Sequence, residues 1–242
     1  MPAVAMPAAV PSRSPKPVAD TRGRLLDAAT AEFAERGFSG ARIREIVARA
    51  GTNLAAINYH FGGKEALYSA VLEHHARRAL TAHPTHAATG AAQLTANQRL
   101  ELFIRGLLMR VLDDDPTAMF TRLIAREMLD PTPALDGLAH DFARPQVEAL
   151  CAIIAEITDA PATSAAVKRC AISVASQCMN LHFQRHVLRR VFPDLPLTVD
   201  AVDAITHHIL AFSLSGMRAA TAAAEPRTRT TAATAPRPGR RA

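Results

Sequence analysis

Residues 51–64 read GTNLAAINYHFGGK, a stretch with no acid and an unusual density of hydrogen-bonding side chains. Thr52 and Tyr59 carry hydroxyls, Asn53 leads a helix whose first N–H groups are free, His60 carries an imidazole and Lys64 an ammonium. All of these suit phosphate oxygens. Asn58 has the paired donor and acceptor that match the edge of adenine, and Arg44, a little upstream, has the fork that matches guanine. Leu54 to Asn58 face the bases, and Ala55 and Ala56 keep the leading turn small, so a helix can approach a major groove closely and an alanine methyl can touch a thymine methyl. Arg42 adds a further phosphate-directed charge. The chemistry these types and spacings offer is recognition of a polyanionic duplex.

Short helices must hold these groups. Apolar residues recur at three and four from Thr21 through Leu25, Leu26, Ala29 and Phe33, predicting a helix that stops at Gly37 with a left-handed cap. Ile43, Ile46, Val47 and Ala50 mark a second helix ending at Gly51, whose freedom at positive φ suits a tight turn. Asn53 is placed to cap a third, from about Leu54 to His60, with Ile57 turned toward Val47. A fourth runs from about Lys64 to Leu80. Two short helices joined by about three residues are a helix-turn-helix. Residues 21–82 therefore read as one DNA-binding module.

Charge follows the same division. Segment 21–82 has nine Lys or Arg against six acids, while 83–220 has twelve against fourteen. A basic module on a slightly acidic body points to an anionic partner at one end. Hydrophobic residues make up 49% of the chain but aromatics only 5%, which favours packed helices over strands. The fold class expected is all-α. No apolar run reaches the ~18 residues of a membrane span, so no membrane partner is expected. Cys151, Cys170 and Cys178 each sit in an apolar helical pattern without CxxC spacing, and read as reduced buried thiols suited to the cytoplasm. The Pro-rich arm 1–20 and the Arg-rich tail 221–242 read as disordered.

The string GFSGARIREIVARAGTNLAAINYHFGGKEALYSAV resembles the DNA-binding domain of TetR/AcrR-type transcriptional regulators, through Gly37-Phe38, Arg44-Glu45-Ile46, Ala50-Gly51, Tyr59-His60-Phe61 and Lys64-Glu65-Ala66-Leu67. The variant NLAAINYHFG, Asn53 to Gly62, is similar to the CecR-like subgroup, and REMLDPTPALDGL, Arg126 to Leu138, extends the likeness. The resemblance covers about residues 21–215. It implies a dimeric one-component regulator, usually a repressor, that leaves a pseudo-palindromic operator when a small molecule enters the C-terminal domain. Two positions depart from the pattern. Arg42 stands where a capping Ser or Thr is usual, which removes a capping box to Glu45 at about 1 kcal/mol. Asn58 stands where Tyr is common, exchanging a phosphate-contacting ring for a base-reading amide.

The body, 91–220, is expected to bind the effector and form the dimer. Its predicted helices run from Thr95 to Leu112, Pro116 to Leu129, Pro133 to Thr158 with a bend at Pro145, Ser164 to Val191, and Thr198 to Ala220. The apolar stripes by themselves read as core, while the resemblance implies a pocket for a small apolar or aromatic effector at Phe103, Leu107, Met119, Phe120, Leu123, Glu127 and Gln177, where Glu127 or Arg126 is either its polar anchor or part of a salt bridge. Ala171, Val174, Cys178, Leu181, Ile205, Ile209 and Phe212 are expected at a four-helix dimer interface.

Other classes fit less well. His182 and His186 stand four apart, as metal ligands can, but no Asp, Glu or Cys has matched spacing. Asp113-Asp114-Asp115 reads as a solvated helix end. No nucleophilic triad order or Gly-rich phosphate loop appears, so neither catalysis nor a cofactor is expected. The competing expectation is a regulator of the same fold that answers to a protein partner or to no effector, and a filled interior beside Phe103, Phe120 and Glu127 would favour it.

Overall fold

The computed structural model describes residues 18–85, 94–112 and 118–222. The expected closure at Asp113 to Pro116 lies outside these residues, as do the tail from residue 223 and the arm up to residue 17. Among the described residues eleven α-helices run in order: α1 (Val18–Gly40), α2 (Ile43–Ala50), α3 (Leu54–Phe61), α4 (Lys64–Ala82), α5 (Ala96–Leu112), α6 (Ala118–Leu129), α7 (Ala134–Leu138), α8 (Arg144–Thr158), α9 (Ala165–Phe183), α10 (Arg185–Val191) and α11 (Val202–Ala222). Among the described residues there is no strand.

The first core is built by α1 packing on α2, α3 and α4, around Leu25, Phe33, Ile46, Ile57 and Leu72. The second surrounds α5, against which α8, α9 and α11 pack, burying Leu100, Ile104, Leu150, Val174 and Ile209. Helix α6 joins the two. It lies on α1 and α4, and Leu123 is part of the first core although its helix belongs to the body. Gly106 of α5 is the seat for the chain leaving α4. A Cβ there would stand 2.8 Å from the carbonyl oxygen of Pro84.

Local signals account for most helix ends. Thr95 and Gln98 form the expected reciprocal box, with the Thr95 N–H donating to Gln98 Oε1 at 2.9 Å and the Gln98 N–H to Thr95 Oγ1 at 3.3 Å. Three boundaries depart from expectation. Helix α1 begins at Val18 instead of Thr21 and continues past Gly37, which takes φ 70° and ψ 178°, a glycine-only conformation that kinks the helix without the left-handed cap. The kink strands the carbonyls of Ala34 and Glu35, and Arg126 from α6 donates to both, at 3.0 and 2.6 Å.

The bend expected at Pro145 takes the form of a π-helical turn at Ala139–Ala143, with the Arg144 N–H reaching the Ala139 carbonyl five residues back. Proline has no N–H, so the ladder must be relieved just ahead of it. The long helix expected to Val191 breaks at Gln184, between α9 and α10.

Most of the expected dimer residues face the core of their own chain. Ala171, Val174, Cys178 and Ile209 are buried within the body, and Leu181 and Ile205 pack half-buried on the same core. Phe212 is the most exposed of the seven, at 65%. An apolar stripe at helical spacing marks the face turned to the nearest apolar mass, and here that mass is the protomer's own α5. The opposite faces of α9 and α11 carry Ile172, Ser176, Ala204, Ala211, Phe212 and Ser215, all exposed.

Candidate nucleic-acid interface and effector cavity

The turn between α2 and α3 follows from two residues. Gly51 ends α2 at φ 63° and ψ 43°, and Asn53 begins α3 with its Oδ1 accepting the Ala56 N–H at 3.1 Å. Ile57 is sealed beneath α3, so the outward stripe is Leu54, Ala55, Asn58 and Tyr59, all exposed. Tyr59 reaches 81% exposure, far more than a ring this size shows when it packs at home. Ala56 and His60 flank the stripe, half-buried, and Ala56 leans on the core. Thr52 stands half-buried at the turn.

The basic residues divide in use. The side chains of Arg42 and Arg44 are exposed and make no hydrogen bond or ion pair among the described residues. Lys64, in contrast, holds its ammonium 4.8 Å from the Phe38 ring centroid, so part of its charge is spent on fixing the start of α4. Arg22, not expected from the sequence pattern, lies over Phe61 at 5.1 Å and brings one more cation to the end of α3. The capping box missing at Arg42 has a substitute. Glu32 of α1, only 2% exposed, accepts the Arg42 backbone N–H at 3.1 Å and pairs with Arg36 at 3.3 Å. Helix α2 is therefore capped from a neighbouring helix, and the Arg42 side chain is left to solvent.

A cavity of about 270 Å³ opens in the body, walled by α5, α6, α7, α8, α9 and the π turn. Phe103, Leu107 and Phe120 line it as expected, joined by Phe142, Ile124 and Leu150. Met128 and Val147, both exposed, stand at its rim. Four expected residues do not line it. Met119 and Leu123 turn to the first core, because α6 presents one face to α1 and α4 and the other to the cavity. Gln177 donates to Ser213 Oγ at 3.2 Å, tying α9 to α11.

Glu127 is fully buried and serves as a strut. Its Oε2 accepts from Tyr68 Oη at 2.7 Å, and its Oε1 accepts from the Thr132 N–H and hydroxyl at 2.7 and 2.8 Å. Burial and this carboxylate push the Tyr68 phenol well above its usual range, which keeps it a donor. The polar side chains that do line the cavity, among the described residues, are Arg110, Thr121 and Gln146. Arg110 carries a legible mark. It lies seven residues after Phe103 and three after Leu107, on the inward stripe of α5, where a charge is out of place.

Of the histidines, His182 lets its Nδ1 meet the Val111 carbonyl at 3.1 Å and His186 is exposed. Among the described residues no His, Cys, Asp and Glu group has the arrangement of a metal site. Among the described residues no helix is long and apolar enough to cross a membrane.

An exposed, capped reading helix on a small basic module, joined through α6 and α7 to a cavity-bearing body, defines a helix-turn-helix transcriptional regulator. The chain belongs to the TetR family: residues 25–71 match the model "Bacterial regulatory proteins, tetR family", and residues 96–217 match "HTH-type transcriptional dual regulator CecR, C-terminal domain". These regulators are not enzymes.

The HTH-type transcriptional dual regulator CecR of Shigella flexneri is 37% identical over 125 residues, which are 49% of this chain and 55% of that protein. The HTH-type transcriptional repressor NicS of Pseudomonas putida is 46% identical over 54 residues, 22% of this chain and 26% of its own length. The chain thus spans about half, or less, of the curated relatives it matches. In fold it is similar to a TetR-like transcriptional regulator from Rhodococcus sp. RHA1, with a TM-score of 0.60 at 19% identity over 84% of this chain and all of that one. A TetR-family regulator from Streptomyces coelicolor, SCO4454, gives 0.59 at 18% identity over 83% of this chain and 97% of that one.

Proposed function

We propose that the protein is a dimeric repressor that binds a pseudo-palindromic operator and is released when a small molecule fills the body cavity. The observation that carries this reading is the double duty of α6. Phe120, Thr121 and Ile124 face the cavity, while Leu123, Arg126 and Glu127 of the same helix hold α1 and α4. A ligand that shifts α6 must therefore disturb the helices behind α3. The coupling required is only about 1–3 kcal/mol.

An interior with about 270 Å³ of space beside Phe103 and Phe120 favours effector control over the reading with a protein partner or no effector. Dimerisation would use the exposed faces of α9 and α11 around Ile172 and Phe212, with two α3 helices roughly 34–36 Å apart. Leu54, Ala55, Asn58 and Tyr59 meet the bases and their flanks, and Arg42, Arg44, Thr52, Asn53, His60 and Lys64 hold phosphates, with Ala56 giving clearance.

The test is selection of duplexes from a random pool by the purified full chain, with its mass in solution measured alongside. Two inverted half-sites about one turn apart, bound by a dimer and vacated with a cavity ligand, are expected. A single half-site bound by a monomer would overturn the dimeric reading, and operator binding that no cavity ligand relieves would overturn release.

A further inference from the structure

Arg110 sits at the wall of an apolar cavity, and among the described residues no opposite charge answers its own. It is 5% exposed. Its Nε donates to the Gly106 carbonyl at 3.3 Å and its Nη1 to Gln146 Oε1 at 2.6 Å, while Nη2 finds no acceptor. Among the described residues no carboxylate lies within ion-pair distance. The neighbouring Cys178 thiol is pushed up to about 12 by burial and so contributes no negative charge at neutral pH. Burial pulls the Arg110 guanidinium down to about 10, which still leaves it a cation. A charge removed from water is costly unless an opposite charge and good hydrogen bonds replace the water.

Resting on the effector reading above, we propose that the cavity takes an organic carboxylate, its anionic head on Arg110 and its apolar body among Phe103, Phe120 and Phe142. The planar guanidinium fork matches a carboxylate, and Gln146 holds that fork in place while its own Nε2 is fixed on the Phe142 carbonyl at 2.9 Å. A neutral ligand would leave the guanidinium unpaired. An inorganic anion would leave the aromatic wall without a partner. Only a ligand with one anionic end and one apolar end satisfies both parts of the lining.

The experiment uses the full chain, calorimetric titration and thermal unfolding. Benzoate, 3-phenylpropionate and hexanoate are each compared with their primary amides and with inorganic phosphate. At least one acid is expected to bind about tenfold or more tighter than its amide. Arg110→Met should abolish that preference while leaving the ligand-free Tm equal or higher, because an apolar side chain replaces an unpaired buried charge. Arg110→Lys should weaken the acid but keep its advantage over the amide.

Amides that bind as well as acids would overturn the carboxylate and leave the effector cavity standing. Failure of every organic probe would count against both. Phosphate binding as tightly as the acids would overturn the apolar body. A Tm lowered by Arg110→Met, with acid binding in Arg110→Lys no better than its amide, would make Arg110 a structural residue and overturn the proposal.

Discussion

Tyr68 Oη and Glu127 Oε2 lie 2.7 Å apart in the sealed joint between α4 and α6, one residue from each half of the molecule. Tyr68→Phe removes one of three donors to a buried carboxylate and should lower stability by about 1–3 kcal/mol. Glu127→Ala should cost more, since it strands both the phenol and Thr132. Denaturant titration of the two single variants and the double variant measures the pair. Additive losses would show that the bond does not couple the two helices.

The proposed operator contacts separate base reading by the outward stripe of α3 from phosphate holding by the residues around it. Asn58→Ala should cost about 1–3 kcal/mol at one operator base pair and little at others, measured by competition with single-substitution duplexes. Arg42→Ser should instead weaken binding to every duplex and reduce the salt slope by about one. A uniform loss from Asn58→Ala would move that side chain to the backbone class.

Gly106→Ala sets two effects of opposite sign against each other. Alanine in a helix interior is worth up to about 1 kcal/mol over glycine. The new Cβ, however, would meet the Pro84 carbonyl oxygen at 2.8 Å, and a backbone atom cannot swing aside. Overpacking of this kind costs about 1–3 kcal/mol, so a net loss is expected, read as a lower Tm. A higher Tm would mean that the chain after α4 yields freely.

His75 gives the first module an acid limit. Thr30 donates its hydroxyl to the Leu26 carbonyl, so the His75 Nε2–H must donate to Thr30, at 3.0 Å. Burial, with His74 and Arg78 nearby and Asp27 opposing, lowers the imidazole to about 4. The folded value lies below the unfolded one, near 6.5. Stability from the neutral ring is therefore complete above about 6.5 and is lost as pH falls from there to about 4, by up to about 3 kcal/mol. Denaturation across this range should show a slope that His75→Gln flattens. An equal slope in both proteins would assign the acid sensitivity to other groups.

Much of the reading module is legible in the residues themselves. Gly51 and Asn53 act on backbone groups three or four residues away, and such local chemistry survives any tertiary setting. Long-range roles are less visible. Glu127 and Arg126 look like pocket polars on a mostly apolar helix, but their partners, Tyr68 and the carbonyls at the Gly37 kink, are about sixty to ninety residues away in sequence. The stripe of Ala171, Val174, Cys178 and Ile209 shows that a face is buried without saying whether the same chain or another buries it. Arg110 breaks the α5 stripe and so is detectable, yet spacing alone does not say that it borders empty space.

Helix α6 also restricts how such a protein can change over generations. A substitution at Phe120 or Ile124 that reshapes the cavity alters a helix whose other side carries Leu123 and Glu127. On the proposed reading, ligand preference adjusted there would shift the unliganded protein's hold on its operator at the same time. Phe103 on α5, Val147 on α8 and Met179 on α9 border the same space from helices without that attachment. Descendants that acquire a new chemical signal while keeping their old genes should therefore differ mainly on those three walls.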